Sequence, residues 1–214
     1  MRTYEKIETI YKRDTEGTKQ LMPGVWRDPT LEFLKDLPFQ WSEKIDGTNV
    51  RVYWDGHEVH FGGRTEKSNM PVHLVERLME LFKTDEAEQL FEQLFGEREV
   101  ILFGEGYGKK IQGDGAKYIP DGVDFIMFDL LIGDNYQPRD SVEECAKAFG
   151  IKVAPIVGEG TLEDAIKYVK THPDSIVGNL PMEGVVCRPK IELRDRCGNR
   201  IIVKIRWKDV KNFV

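Results

Sequence analysis

Asp55 and Gly56 do most to limit what this chain can fold into, because they separate two strand-like runs and have the chemistry of a tight reversal. Asn49 to Trp54 and His57 to Phe61 are rich in β-branched and aromatic residues, and an Asp-Gly pair tolerates the positive φ angles that hairpin turns demand. Phe39 to Lys44 reads as another strand just upstream. An antiparallel arrangement is therefore expected from the start.

The rest of the chain keeps to that plan. Asn69 and Pro71 suit a helix start, and Leu74, Val75, Leu78, Met79 and Phe82 follow at helical spacing; Leu90, Phe91, Leu94 and Phe95 repeat the pattern before Gly96, a predicted C-cap. These stripes belong to a core rather than to a cofactor. Glu99 to Gly104 and Val123 to Ile132 read as buried strands, with Gly133-Asp134-Asn135 turning the chain after the second. Ser141 with Glu144 predicts a capping box for a helix ending near Gly150, and Thr161 with Asp164 predicts another. Strands return at Gly184 to Cys187 and Arg200 to Arg206. Clustered strands without strict βα alternation predict an α+β fold, antiparallel β-sheets flanked by helices. With no repeat, low-complexity tract or long linker, residues 1–214 read as a single domain of which 1–38 form the N-terminal segment.

Composition excludes several classes. A chain of 214 residues with 40% hydrophobic and 32% charged residues can bury a core, and no apolar run approaches the roughly 20 residues that span a bilayer. The N-terminus lacks the apolar stretch of a secretory signal, so a cytoplasmic protein with no membrane partner is expected. Cys145, Cys187 and Cys197 have no metal or redox spacing and read as reduced thiols; His57, His60, His73 and His172 are equally scattered. No Rossmann or Walker glycine pattern occurs. The net charge of −6 conceals an uneven distribution: Arg188 to Lys211 holds nine basic and three acidic residues, a local +6 that leaves −12 elsewhere. Such a run is commonly a solvated strand face, yet it is also what phosphate binding requires.

The most informative stretch is Glu43-Lys44-Ile45-Asp46-Gly47-Thr48-Asn49. A lysine lies there at a strand end before a glycine that permits a tight turn, and Lys44 and Asp46, two apart, would share a face. A nucleophilic lysine must be neutral, and from a reference pKa of about 10.4 the neutral form costs on the order of 4 to 5 kcal/mol at pH 7. Neighbouring cations can reduce that cost.

Lys44 to Gly47 resembles the first motif of the covalent nucleotidyltransferases, the ligases and mRNA capping enzymes, and five later segments resemble the others in order. Gly63-Arg64-Thr65 is similar to the segment whose arginine contacts the nucleotide sugar. Leu102-Phe103-Gly104-Glu105 is similar to the motif whose glutamate accepts from the ribose hydroxyl. Asp124-Phe125-Ile126-Met127-Phe128-Asp129 resembles the motif whose aromatic ring stacks on the purine, a role that falls on Phe128 because Phe125, an odd number of residues away, faces the other side. Met182-Glu183-Gly184-Val185-Val186 is similar to the motif whose carboxylate lies near the lysine and a divalent cation. Val203-Lys204-Ile205-Arg206 resembles the motif whose two cations grip the α-phosphate, with arginine at 206 where the family usually has a second lysine; arginine keeps the charge but differs in geometry.

The opening Tyr4-Glu5-Lys6-Ile7-Glu8-Thr9-Ile10 and the Asn49 after the first motif resemble the ATP-dependent RNA ligase branch common in phages. The chain stops at Val214, so an adenylation domain without the C-terminal oligonucleotide-binding barrel is expected. The resemblance implies that Lys44, Glu183, Lys204 and Arg206 are catalytic. It implies that Glu43, Lys44, Ile45, Asn49, Arg64, Glu105, Phe128, Glu183, Lys204 and Arg206 bind the nucleotide, and that Glu183 and Asp46 hold Mg²⁺ or Mn²⁺. It implies ATP as the AMP donor, a lysyl-AMP intermediate, and RNA ends or nicks, an RNA/DNA hybrid among them, as partner. Two other readings stay open: a DNA ligase or guanylyl-transferring capping enzyme, and an inactive nucleotide- or RNA-binding module.

Overall fold

The computed structural model describes residues 2–65 and 68–213, whose contacts gather into two compact units, 2–5 with 46–154 and 6–45 with 155–213. Both are sheets with helices, and most pairings are antiparallel.

In the 46–154 unit a six-stranded sheet has the spatial order Lys152–Val153, Val123–Ile132, Val100–Gly108, Thr48–Trp54, Val59–Gly62, with Asn135–Tyr136 also on the Val123–Ile132 strand. The predicted hairpin is present, but its loop has four residues. Trp54 pairs with Val59, and the Asp55 carboxylate accepts from the backbone N–H groups of His57 and Glu58, both at 2.9 Å, which moves the reversal past Gly56. Gly56 is still needed: its φ is +100°, and a Cβ there would lie 2.7 Å from the Glu97 carbonyl oxygen.

One face of this sheet is the core, where Val50, Val52, Leu102, Phe125, Met127 and Leu130 pack with Leu74, Leu78, Phe82 and Phe91. These last four come from helices Val72–Phe82 and Asp85–Phe95, which begin and end close to the predicted signals, Thr84 capping the second and Gly96 closing it at φ +59°. Each fully buried Leu or Phe contributes about 1.5 to 3 kcal/mol. The helix Arg139–Ala148 departs from expectation: it starts after Pro138 without a side-chain cap, and Ser141 lies inside it. Pro138 at the N-cap has no N–H that needs an acceptor, and the helix gains three residues over a start capped by Ser141.

In the other unit a five-stranded sheet has the order Glu8–Thr9, Val203–Arg206, Gly184–Pro189, Phe39–Glu43, Ile156–Gly160, beside a two-stranded pair, Tyr11–Arg13 with Leu21–Trp26. Phe39, Trp41, Val185, Cys187, Val203 and Ile205 form its core face with Leu162, Ala165, Ile166 and Val169. The last four belong to helix Leu162–Lys170, whose predicted capping box is complete: Thr161 Oγ1 accepts from Asp164 N, and Asp164 Oδ2 accepts from Thr161 N. Among the described residues no helix is long and apolar enough to cross a membrane.

Candidate active site

Lys44 lies one residue beyond the Phe39–Glu43 strand and continues its ladder, its N–H donating to the Gly184 carbonyl oxygen at 2.9 Å. Gly184 pairs in turn with Arg206, so Lys44, Gly184 and Arg206 form one row across three neighbouring strands. Alternation puts Lys204 and Arg206 on the Lys44 face, opposite the core positions Val203 and Ile205. At about 4.8 Å per strand, the outer two members of the row have Cα atoms about 10 Å apart. The residue between them has no side chain. A Cβ on Gly184 would lie 2.1 Å from the Ile205 carbonyl oxygen, so the backbone itself requires glycine and leaves the space between two cations clear.

Glu183 immediately precedes Gly184, the middle member of this row. Its Oε2 accepts from Lys44 Nζ at 2.6 Å, with the two side chains 20% and 25% exposed, and its carbonyl oxygen accepts from Trp207 N at 2.9 Å. The structure thus brings Lys44, Glu183, Lys204 and Arg206 together on one sheet.

Glu43 does not join them. It pairs with the core residue Val185 and faces the same way, buried, its carboxylate accepting from Ser175 Oγ at 2.5 Å and Ile176 N at 2.9 Å. Burial pushes its carboxyl above the usual range despite those two bonds. The neighbour of a strand residue must face the opposite side, so the Glu43 side chain lies on the face away from Lys44. Ile45 is buried.

The remaining expected residues lie on the 46–154 unit. Asp46 donates its N–H to Tyr118 Oη at 3.2 Å, and the Gly47 carbonyl accepts from Gln112 Nε2 at 3.0 Å. Gly47 passes so close to the Val100–Gly108 strand that a Cβ would lie 2.3 Å from the Gly106 oxygen. Asn49 pairs directly with Glu105, and both lie on the face away from the helices. Asn49 Oδ1 is buried with no hydrogen-bond partner among the described residues, an acceptor suited to a bound donor.

Phe128 reaches this same face through a β-bulge. Phe103 pairs with Asp129 and Gly104 with Met127, so Phe128 is the extra residue. Phe125 instead fills the core, its ring where a Cβ on Gly104 would stand, 2.3 Å away. Phe128 packs at 5.1 Å, edge-on, against Tyr4, whose hydroxyl donates to Asp129 at 2.8 Å. Arg64 is exposed in the bend after Val59–Gly62. That bend is held by Arg51, fully buried, which donates from Nε to the Gly63 oxygen at 2.7 Å. Sequence reasoning missed Arg51, Tyr4 and Asp129; the signal for Arg51 was its position two beyond Asn49, on the same face.

The basic segment divides by role. Arg200, 4% exposed at its side chain, grips Glu192 at 2.7 and 3.1 Å and is a structural clamp. Arg194 and Arg196 are exposed on the same hairpin, Arg194 donating to the Gly198 oxygen at 3.0 Å.

A family model described as RNA ligase matches residues 37–206. Among curated proteins none matches at a significant level. Among solved structures the chain is similar to the RNA ligase of Naegleria gruberi. A mutant solved with ATP and Mn is 22% identical at a TM-score of 0.62, covering 83% of this chain and 52% of that one. The form solved with PPi is 21% identical at a TM-score of 0.62, covering 96% and 62%. A further mutant with AMP and Mn is 20% identical at a TM-score of 0.63, covering 94% and 61%. The chain thus spans about half to three fifths of the length of these relatives, and the likeness is one of fold.

Proposed function

Because this chain belongs to the RNA ligase family, we propose that it works as a single adenylation domain and an ATP-dependent RNA ligase with Lys44 as its nucleophile. One observation carries the reading: Lys44 and Arg206 flank a side-chain-free gap on one sheet face, with Glu183 at 2.6 Å from the Lys44 amine.

In the first step Lys44 Nζ attacks the α-phosphorus of ATP. A P–N bond forms, the P–O bond to the β-phosphate breaks, pyrophosphate leaves, and the neutral amine's displaced proton passes to solvent. For attack the Glu183 pair must open. Lys204 and Arg206 supply fixed charge for the phosphoryl oxygens, and such transfer depends chiefly on positioning and charge neutralisation. Asn49, Glu105, Arg64 and Phe128 are assigned to the nucleoside. The buried acceptor of Asn49 suits a hydroxyl or amine, and the Phe128 ring suits a purine face.

The carboxylates of Glu183 and Asp46 are each hard oxygen donors of the kind Mg²⁺ or Mn²⁺ prefers, and an ion at either, when bound, would neutralise charge on the phosphate. In the later steps a 5′-phosphate oxygen takes the AMP from Lys44, and a 3′-hydroxyl attacks that 5′-phosphorus and expels AMP. RNA ends or nicks, including those in an RNA/DNA hybrid, are the proposed partner, Arg188 to Lys211 the proposed contact, and the cytoplasm the proposed site of action.

Incubating the full chain with ATP and Mg²⁺ should add the mass of one adenylyl group, lost in Lys44→Ala, with GTP a poor substitute. Equal labelling of Lys44→Ala would remove Lys44 as nucleophile. A preference for GTP would favour the capping reaction, sealing of DNA alone a DNA ligase, and no adduct an inactive module.

A further inference from the structure

Arg206 does not extend freely from its strand. Its Nε donates to Asp209 Oδ2 at 2.7 Å, three residues on, and the other oxygen of Asp209 accepts from an Arg13 terminal nitrogen at 2.9 Å. Arg13 is fixed in turn by its second terminal nitrogen, which donates to the Lys19 carbonyl oxygen at 2.6 Å. The Asp209 side chain is 6% exposed, so one carboxylate is enclosed between two guanidinium groups. The terminal nitrogens of Arg206 have no partner among the described residues, which leaves its outer fork for another anion.

We propose that Asp209 is a positioning residue that holds the Arg206 guanidinium by its Nε edge, so that the opposite edge faces the phosphoryl group. The proposal rests on the ligase reading above. It accounts for arginine at this position: a guanidinium has an edge for Asp209 and another for phosphate, whereas a lysine ammonium is one point charge and pairs with the nearer carboxylate. The short pair Tyr11–Arg13 with Leu21–Trp26 then acts as the brace of the clamp through Arg13.

The test uses the full chain and four variants: Asp209→Asn, Arg206→Lys, their combination, and Arg206→Ala. Self-adenylylation is followed by intact mass under single-turnover conditions at varied ATP. Asp209→Asn should slow the rate at saturation about tenfold with the half-saturating ATP concentration changed less than threefold, because the fork is used most fully as charge develops. Arg206→Lys should fall about tenfold or more, and adding Asp209→Asn to it should recover several-fold. That reversal of sign is one that a purely structural role for Asp209 does not produce. A combined variant slower than either single one overturns the proposal. The Arg206 Nε–H signal, read by NMR against Arg206→Ala, should exchange slowly with water in the parent and at least tenfold faster in Asp209→Asn. Absence of an adduct on the parent would refute the ligase reading itself. The clamp is then judged on the Nε–H signal alone, and an unchanged exchange rate in Asp209→Asn overturns it.

Discussion

Gly184→Ala is the smallest change that tests the row at the active face. The added Cβ would stand 2.1 Å from the Ile205 carbonyl oxygen and 2.7 Å from the Arg206 Cα, and both obstacles are backbone of the neighbouring strand. Ordinary contact begins near 3.4 Å, so Val203–Arg206 must move by roughly 1 Å, and no rotamer change can spare it that shift. Overpacking of this kind costs about 1 to 3 kcal/mol, and each kcal/mol lowers Tm by about 2 to 4 °C in a chain of this size. A drop of about 2 to 12 °C by calorimetry is expected. The same shift displaces Arg206 from Lys44, and a 1 Å misplacement costs up to about 10²-fold in rate, so lysyl-AMP formation should fall by one to two orders of magnitude at temperatures where the variant remains folded. Gly113→Ala, with nothing within 4 Å of the added carbon, is the control and should leave both readings near the parent. A Gly184→Ala protein with the parent's Tm and rate would show that the strands are not as close as the row requires.

Phe128→Ala should weaken ATP binding by about 1 to 3 kcal/mol while Phe128→Tyr or Trp keeps it, as calorimetric titration can show; equal affinities would leave Phe128 as packing for Tyr4. Burial raises the Glu43 carboxyl, so its stabilising share is full below its unfolded value and is lost as pH rises through the higher folded one. Thermal melts of Glu43→Gln and parent should therefore shift in favour of the variant between pH 4 and pH 7, and a constant difference counts against a buried, raised carboxyl. Arg194→Gln with Arg196→Gln should reduce the dependence of log RNA affinity on log salt by at most about 1.8, two phosphate contacts' worth. No change in filter-binding slope would place the RNA surface elsewhere.

The sequence disclosed what depends on short-range periodicity. The Val123–Ile132 strand, the Val72–Phe82 helix and the Thr161 capping box each need only local alternation, helical spacing or a cap residue, and each is where expected. What it hid depends on partners. Val100–Gly108 runs beyond the predicted end because Gly104 and Gly106, ordinarily strand breakers, are the spaces into which Phe125 and Leu74 pack. Leu21–Trp26 contains Pro23 and a Gly24 at φ +77°, which a two-stranded ribbon tolerates, and it carries no clean alternation. Motif order singled out Lys44, Glu183, Lys204 and Arg206, four residues that the structure gathers on one sheet. Alternation also forbade Glu43 from facing with Lys44, a signal present in the sequence and outweighed there by the motif. Asp209 had no signal, since three residues after Arg206 and 196 after Arg13 it is joined to both only by folding.

A phosphoryl group is charged throughout its transfer, so a site for it needs cations whose spacing does not relax when the charge moves. A sheet provides such spacing through its ladder: Lys44, Gly184 and Arg206 are held in order by backbone hydrogen bonds, and Asp209 limits the swing of the Arg206 side chain. Little conformational entropy is then left to lose when the anion arrives. Arg194 and Arg196 differ, being exposed side chains on a hairpin, and their attraction is exposed to salt within a Debye length of about 8 Å at physiological ionic strength. The two halves of the reaction should therefore separate as salt rises. Adenylylation of Lys44, which uses the ordered row, should decline less steeply than engagement of an RNA end, which draws on the hairpin. Parallel titrations of lysyl-AMP formation and RNA sealing from 50 to 200 mM salt measure both, and parallel slopes would mean that the same cations serve the two steps.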